Sequence, residues 1–255
     1  MIRFTDVNFS YSSGRHPVLK GLSLHIKKGR ITALLGPNGT GKTTMINLAL
    51  GWLKPDAGRI EVDGKELIEY SGRKLSRRIS LVPQQEVIPF HLSVLDFVLF
   101  GRTPYLRPLE MPGPEDLEIA KGSLLRLGIG ELADRPVTAL SGGEKHLVLL
   151  ARSLTQQTEC ILMDEPTNHM DPANRISILR TIKTLADSGS TIFFSTHHPE
   201  IALELADETV GIKDGAVIIS GETKGVITGE NLFTLYGAEA EIFSSGGKKI
   251  ISWLM

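Results

Sequence analysis

Apolar positions along this chain keep two different rhythms, and the changes between them mark out the elements. Residues 31–36, 79–83, 160–164 and 191–195 are short, nearly unbroken apolar runs, the pattern of strands covered on both faces of a parallel sheet. Helical spacing follows several of them, over 42–50, 174–186 and 199–205, which predicts an α/β fold on a mainly parallel central sheet. The opening of the chain behaves differently. Residues 2–11 and 19–26 alternate apolar with polar positions, predicting antiparallel strands, and 60–62 belongs with them. Residues 210–213 and 216–220 flank Asp214-Gly215, a hairpin signal. Over 85–140 the texture changes again: Pro and Gly crowd 104–114, and helical periods recur at 94–100 and 117–127. That stretch predicts a small α-helical insertion hung from the α/β core.

Composition narrows the class. The chain has 255 residues, 41% hydrophobic and 22% charged, ample for a substantial core, and its length suggests one large domain or two intimate ones. Lys and Arg number 28 against 29 Asp and Glu, a formal net charge of -1, so no global positive field exists to hold nucleic acid or an anionic membrane. The cluster Arg73, Lys74, Arg77, Arg78 reads as the solvated face of a short helix, because no aromatic residues are interleaved to stack bases. No nucleic-acid partner is expected. The single cysteine, Cys160, excludes an intrachain disulfide framework and cysteine-paired zinc sites, and reads as a small core hydrophobe. No run of ~18 apolar residues is present to span a bilayer, and the first residues lack the apolar stretch of a signal peptide. If the protein works at a membrane, another chain takes it there.

Chemistry concentrates at three places. Gly36-Pro37-Asn38-Gly39-Thr40-Gly41-Lys42-Thr43-Thr44 fits G-x-x-x-x-G-K-[ST] between a predicted strand and a predicted helix. Glycines let successive N–H groups converge on one anion, and the following helix adds its positive end. Lys42 suits the β- and γ-phosphates, and the Thr43 hydroxyl suits Mg²⁺. At ordinary glycine frequencies chance supplies on the order of one such match per hundred chains of this size. Cys160-Ile161-Leu162-Met163-Asp164-Glu165 is an apolar strand ending in two acids: Asp164 suits the Mg²⁺ shell and Glu165 a general base facing water. In isolation it would more often be a strand meeting a polar turn; beside a P-loop that reading becomes the minor one. Leu140-Ser141-Gly142-Gly143-Glu144 precedes the apolar-periodic stretch 147–154, with Ser141 a natural N-cap, the construction of a second anion site at a helix start. Alone such a turn is usually just a turn, and its position before Asp164 is what makes it informative. Ser141 lies 23 residues before Asp164.

In this order the P-loop, the Leu-Ser-Gly-Gly signature and the apolar-Asp-Glu strand resemble the nucleotide-binding subunit of an ABC ATPase, over essentially residues 1–220. The resemblance implies a P-loop NTPase core with an N-terminal antiparallel β subdomain and an inserted α-helical subdomain. It is expected as a single domain over 1–255, with its RecA-like core at 1–84 and 155–220, the helical part at 85–154 and a C-terminal extension at 221–255. It also assigns further residues. Gln84, after Leu81-Val82-Pro83, matches the Q-loop glutamine that touches Mg²⁺ and the attacking water, with Gln85 as the fallback. Asn168-His169-Met170-Asp171 matches the D-loop, His197 the switch histidine at the γ-phosphate, and Tyr11 the aromatic that stacks on adenine. A plain sheet aromatic is the competing reading of Tyr11. His197 and His198 are expected to point apart, as neighbours on an extended chain do, which disfavours a metal pair. Glu144, Lys145, His146 and Met170 depart from the commonest family residues, outside the phosphate-contacting core.

ATP and Mg²⁺ are therefore the implied ligands, with an Mg-dependent ATPase as the activity. One P-loop and one signature per chain imply a head-to-tail homodimer in which each signature completes the partner's site. The segment 89–105, ending Gly101-Arg102-Thr103-Pro104-Tyr105, resembles the part of siderophore, haem and cobalamin importers that lines the groove for a permease's coupling helix; residues 226–237 resemble the end of the same subgroup. That implies a subunit on the cytoplasmic face of the membrane that powers metal-chelate import. Its partner would be a polytopic permease docked near 84–105, with a substrate-binding protein engaged indirectly. The alternative is a soluble ABC ATPase acting on a cytosolic assembly such as iron–sulfur cluster biogenesis.

Overall fold

The computed structural model describes residues 1–11, 17–86, 91–168, 170–245 and 248–254. In chain order the elements are β1 (Ile2–Ser10), β2 (Pro17–Ile26), β3 (Ile31–Leu35), α1 (Lys42–Ala49), β4 (Ala57–Val62), β5 (Lys65–Glu66), α2 (Gly72–Ser76), β6 (Ile79–Val82), α3 (Val94–Leu99), α4 (Pro114–Arg126), α5 (Gly142–Thr155), β7 (Cys160–Met163), α6 (Pro172–Asp187), β8 (Thr191–Thr196), α7 (Pro199–Leu205), β9 (Glu208–Lys213), β10 (Ala216–Glu222), α8 (Thr223–Val226), α9 (Gly229–Tyr236), β11 (Ala240–Ser245) and β12 (Lys248–Trp253). This is a mixed α/β fold with parallel central strands, an antiparallel β part and helices. The chain divides into two compact units, Met1–Glu69 with Ala186–Met255, and Tyr70–Leu185.

In the first unit β1 lies between β2 and β4 in an antiparallel sheet ordered β2-β1-β4-β5. Its buried residues change parity along the strand: Ile2 and Phe4, then Val7 and Phe9. The switch coincides with a register shift between Phe4 and Val7 and with Asp6 at φ 48, a bulge that turns the second half of the strand over so that apolar side chains stay on one face. The remaining strands run β10-β9-β3-β8, and β3 pairs in parallel with both β8 and β9. All five β3 residues are buried, as the unbroken apolar run requires. At the hairpin turn Asp214 and Gly215 both have positive φ, 50 and 81. The turn rests on β2, where Lys20 N–H donates to the Gly215 carbonyl at 2.9 Å. The tail adds α9 and the β11–β12 hairpin, which the periodicity did not indicate; Trp253 Nε1 donates to Glu200 of α7 at 3.3 Å.

In the second unit β6 and β7 are parallel neighbours, in register from Ile79 with Cys160 to Val82 with Met163. Helix α5 packs against them, with Ser80 and Ser153 hydroxyls 2.6 Å apart in a buried contact. Cys160 is buried, as expected of a core thiol. The four residues of the basic cluster are exposed, as predicted, with Arg73 and Lys74 on α2. Arg77 lies beyond α2, donates to the Pro104 carbonyl at 2.9 Å and stacks over Tyr105, and Arg78 pairs with Glu159 at 2.7 Å. Among the described residues no helix is long and apolar enough to cross a membrane.

Candidate functional site

In both units the P-loop, His197, Gln84, Asp164 and Glu165 follow the carboxyl ends of parallel strands, whereas Tyr11 follows antiparallel β1 and Ser141 and Asp171 stand at helix starts. In the first, β3 and β8 end side by side, with Leu35 paired to Thr196, so the loop 36–41 and His197 leave from adjacent strand ends. Gly39 and Gly41 take φ of 79 and 102, and at Gly41 a Cβ would meet Leu19 Cδ2 at 2.8 Å, so glycine is required on two counts. Thr40 Oγ1 donates to the Pro37 carbonyl at 2.9 Å and holds the curl. Lys42 is buried, its Nζ donating to the carbonyls of Gly36 and Pro37 at 2.9 and 3.0 Å. That keeps the ammonium inside the concavity of the loop. Thr43 is exposed on the first turn of α1, whose leading N–H groups have no intrahelical acceptor. Tyr11 is 61% exposed, meets Phe9 edge-on at 5.0 Å, and its hydroxyl lies 3.0 Å from Thr44 Oγ1. The ring is therefore held beside the P-loop helix and stays largely exposed.

His197 is half-buried, and one expectation about it is corrected. Its ring does not diverge from that of His198; the centroids are 4.0 Å apart with planes tilted by 40°. After Thr196 the chain bends to begin α7 at Pro199, with His198 N–H donating to Thr196 Oγ1 at 3.1 Å, and the extended-strand geometry behind that expectation has ended.

In the second unit Asp164 and Gln84 follow adjacent strand ends. Asp164 N–H donates to the Val82 carbonyl at 3.0 Å and its side chain is buried, while Gln84 and Gln85 are exposed. Glu165 has φ 46, and its Oε2 accepts from Asn168 Nδ2 at 2.8 Å. Sequence reasoning gave Asn168 no part at this carboxylate. Ser141 caps α5 in a reciprocal box: its Oγ accepts from Glu144 N–H at 3.3 Å and its own N–H donates to Glu144 Oε2 at 2.8 Å. The Ser141 hydrogen bonds hold the Glu144 carboxyl below the ordinary carboxylate range. Asp171 turns its carboxylate to the start of α6, accepting from the N–H groups of Asn174 and Ala173 at 3.0 Å each; these bonds, Asn174 first, lower its pKa. His169 lies outside the described residues. A cavity of about 500 Å³ separates Gln84–Glu86 from the start of α5, with Asn168, Met170 and Asp171 also on its wall.

The segment expected to face a permease is partly an internal scaffold. Arg102 is buried, paired with Asp116 at 2.7 Å, donating to the Thr155 carbonyl at 3.2 Å and to Gln157 at 2.9 Å, and stacked 4.0 Å over Tyr105. An isolated charge there would be costly, and these partners remove that cost. The Gly-Arg-x-Pro pattern thus holds α4 to the end of α5, and Phe100, 53% exposed, and Thr103 are among the residues this part turns outward. Pro89 and Phe90, at the start of the same segment, lie outside the described residues.

Comparison with known proteins gives a consistent picture. The sequence profile of the ABC transporter family matches residues 19–168. An ABC transporter ATP-binding protein of Haemophilus influenzae is 37% identical, over 88% of this chain and 86% of that protein. A probable iron chelatin transport ATP-binding protein of Helicobacter pylori is 32% identical over 96% of both chains. Among solved structures, a chain of a metal-chelate type ABC transporter in an inward-facing conformation superposes with a TM-score of 0.86 at 32% identity, covering 99% of this chain and 96% of that one.

Proposed function

The chain belongs to the ABC transporter family, as one of its ATP-binding, ATP-hydrolysing subunits, and we propose that it powers import of a metal chelate such as a siderophore, haem or cobalamin through a separate permease. The observation that carries this reading is the extent of the likeness to the metal-chelate type structure, which runs through the helical insertion and the C-terminal tail as well as the ATP core.

Each side chain then has a defined task. The N–H groups of the loop and the first turn of α1 hold the triphosphate, and Lys42 neutralises its β- and γ-oxygens. Tyr11 stacks on adenine. Thr43, Asp164 and Gln84 are oxygen donors of the kind Mg²⁺ takes; Thr43 is exposed at the helix start and Asp164 is a buried carboxylate at a strand end, which fits such an ion. When bound, Mg²⁺ screens the charge of the phosphate oxygens. Glu165 accepts a proton from the attacking water while Asn168 fixes its carboxylate. Gln84 orients that water, and His197 hydrogen-bonds the γ-phosphate. A second copy contributes its Ser141–Glu144 turn and Asp171, so the working unit is a homodimer. It sits at the cytoplasmic face of the membrane, against a permease received near 84–105, with a substrate-binding protein beyond it.

The test is to tag the chain, solubilise native membranes in mild detergent and identify what copurifies. A polytopic permease is the expected partner. A soluble scaffold with no membrane protein would overturn the importer reading in favour of a cytosolic assembly ATPase, leaving the ATP chemistry intact.

A further inference from the structure

Two residues outside every motif tie the Gln84 segment to the signature helix. Glu86 stands two positions after Gln84, and Arg152 lies near the far end of α5, whose cap is Ser141. The Arg152 guanidinium donates to both oxygens of Glu86, Nη1 to Oε1 and Nη2 to Oε2, each at 2.6 Å. The Arg152 side chain is 19% exposed and that of Glu86 31%, so the fork lies at the surface with its cation side half-covered. The guanidinium also lies 4.8 Å from the ring centroid of Phe97 on α3, which fixes its plane. Gly101 approaches this part of α5 so closely that any Cβ would strike the Arg152 carbonyl oxygen.

The opposite end of α5 faces open space. The cavity of about 500 Å³ is lined by Gln84 and Glu86 and also by Ser141, Gly142 and His146. The segment after β6 and the start of α5 thus both line the cavity, while the fork–fork bond joins that segment to α5 further along. A helix of 14 residues is a rod of roughly 20 Å that carries a displacement at one end to the other. We propose that Glu86 and Arg152 form a positioning joint that makes Gln84 and the Ser141 end of α5 move as one body, so that hydrolysis answers to both together. Neither residue touches nucleotide in this scheme. The inference rests on the roles proposed above for Gln84 and Ser141.

A double-mutant cycle on the purified full chain tests it, with steady-state ATP hydrolysis and equilibrium dialysis of ATP as readouts. E86Q keeps the shape and removes the charge; R152Q removes the fork. Each single variant is expected to lower kcat about tenfold while KM and Kd for ATP stay within about twofold, and the double variant to fall no further than the worse single. A loss of packing alone would reduce the fraction of chains that bind ATP, which the dialysis stoichiometry reads directly. If R152Q does not fold, R152K, which keeps the charge but not the fork, takes its place in the cycle. Singles that multiply in the double variant, an unchanged kcat, or a loss carried by KM would each overturn the joint. Q84A separates the two levels: if it hydrolyses ATP normally, the role of Gln84 fails, whereas an inactive Q84A beside an additive cycle removes only the joint.

Discussion

At Glu165 the backbone holds a residue with a Cβ at φ 46, a conformation that costs on the order of 1–3 kcal/mol and persists only where the surroundings impose it. Here the imposing contacts are local. Asn168 N–H donates to the Glu165 carbonyl at 3.1 Å and the Asn168 amide donates to its carboxylate, so the turn after β7 aims the side chain as well as the backbone. For a proton acceptor this fixes the basic oxygens before substrate arrives. Glu165→Gln keeps the shape of the side chain and removes its basicity. Binding of ATP should persist, and phosphate release should slow by roughly 10²–10⁴-fold. Undiminished turnover in that variant would remove Glu165 as the base. The acid pair could be read from an apolar run ending in Asp-Glu beside a P-loop. The Asn168 contact could not, because it depends on a side-chain rotamer inside a tight turn.

The signature helix shows how one element absorbs departures from its family's usual sequence. Glu144, in place of the commoner glutamine, closes the capping box with Ser141 and draws on Arg135 at 3.4 Å. Two residues on, His146 is buried, and burial pushes its imidazole down to about 4 from an ordinary 6.5. Between those values the unfolded chain binds more protons than the folded one, so this group's contribution to stability is complete above 6.5 and falls as pH drops toward 4. From about pH 7.5 to about pH 5 the loss should be roughly 2 kcal/mol. Urea unfolding at the two pH values measures it, and His146→Gln should flatten the acid limb. An equal slope in that variant would mean that His146 is not the titrating group. The helix itself was legible as a Ser-Gly-Gly start followed by an apolar stripe. That its histidine is buried was not, since the stripe alone does not say how wide a face the neighbouring strands cover.

For the whole molecule the decisive property is that chemistry is divided. Tyr11, the loop 36–44 and His197 belong to one compact unit, whereas Gln84, Ser141–Glu144, Asp164, Glu165 and Asp171 belong to the other. If a second copy supplies the signature, mixing Ser141→Arg chains with Lys42→Ala chains gives dimers with one doubly damaged site and one intact site. Activity above that of either variant alone is the expected result; none would argue against sharing between copies. Local features carried much of this into the sequence. The P-loop needs consecutive N–H groups, a glycine turn and a helix start within nine residues, and buried parallel strands need unbroken apolar runs, so both are written contiguously. Other features were decided only when distant segments packed. The parity change in β1, the inward turn of Arg102 and the Glu86–Arg152 fork each join groups whose rotamers and registers are set by neighbours. Spacing along a chain records which face a residue prefers, but the partner that face meets is chosen by the tertiary fold.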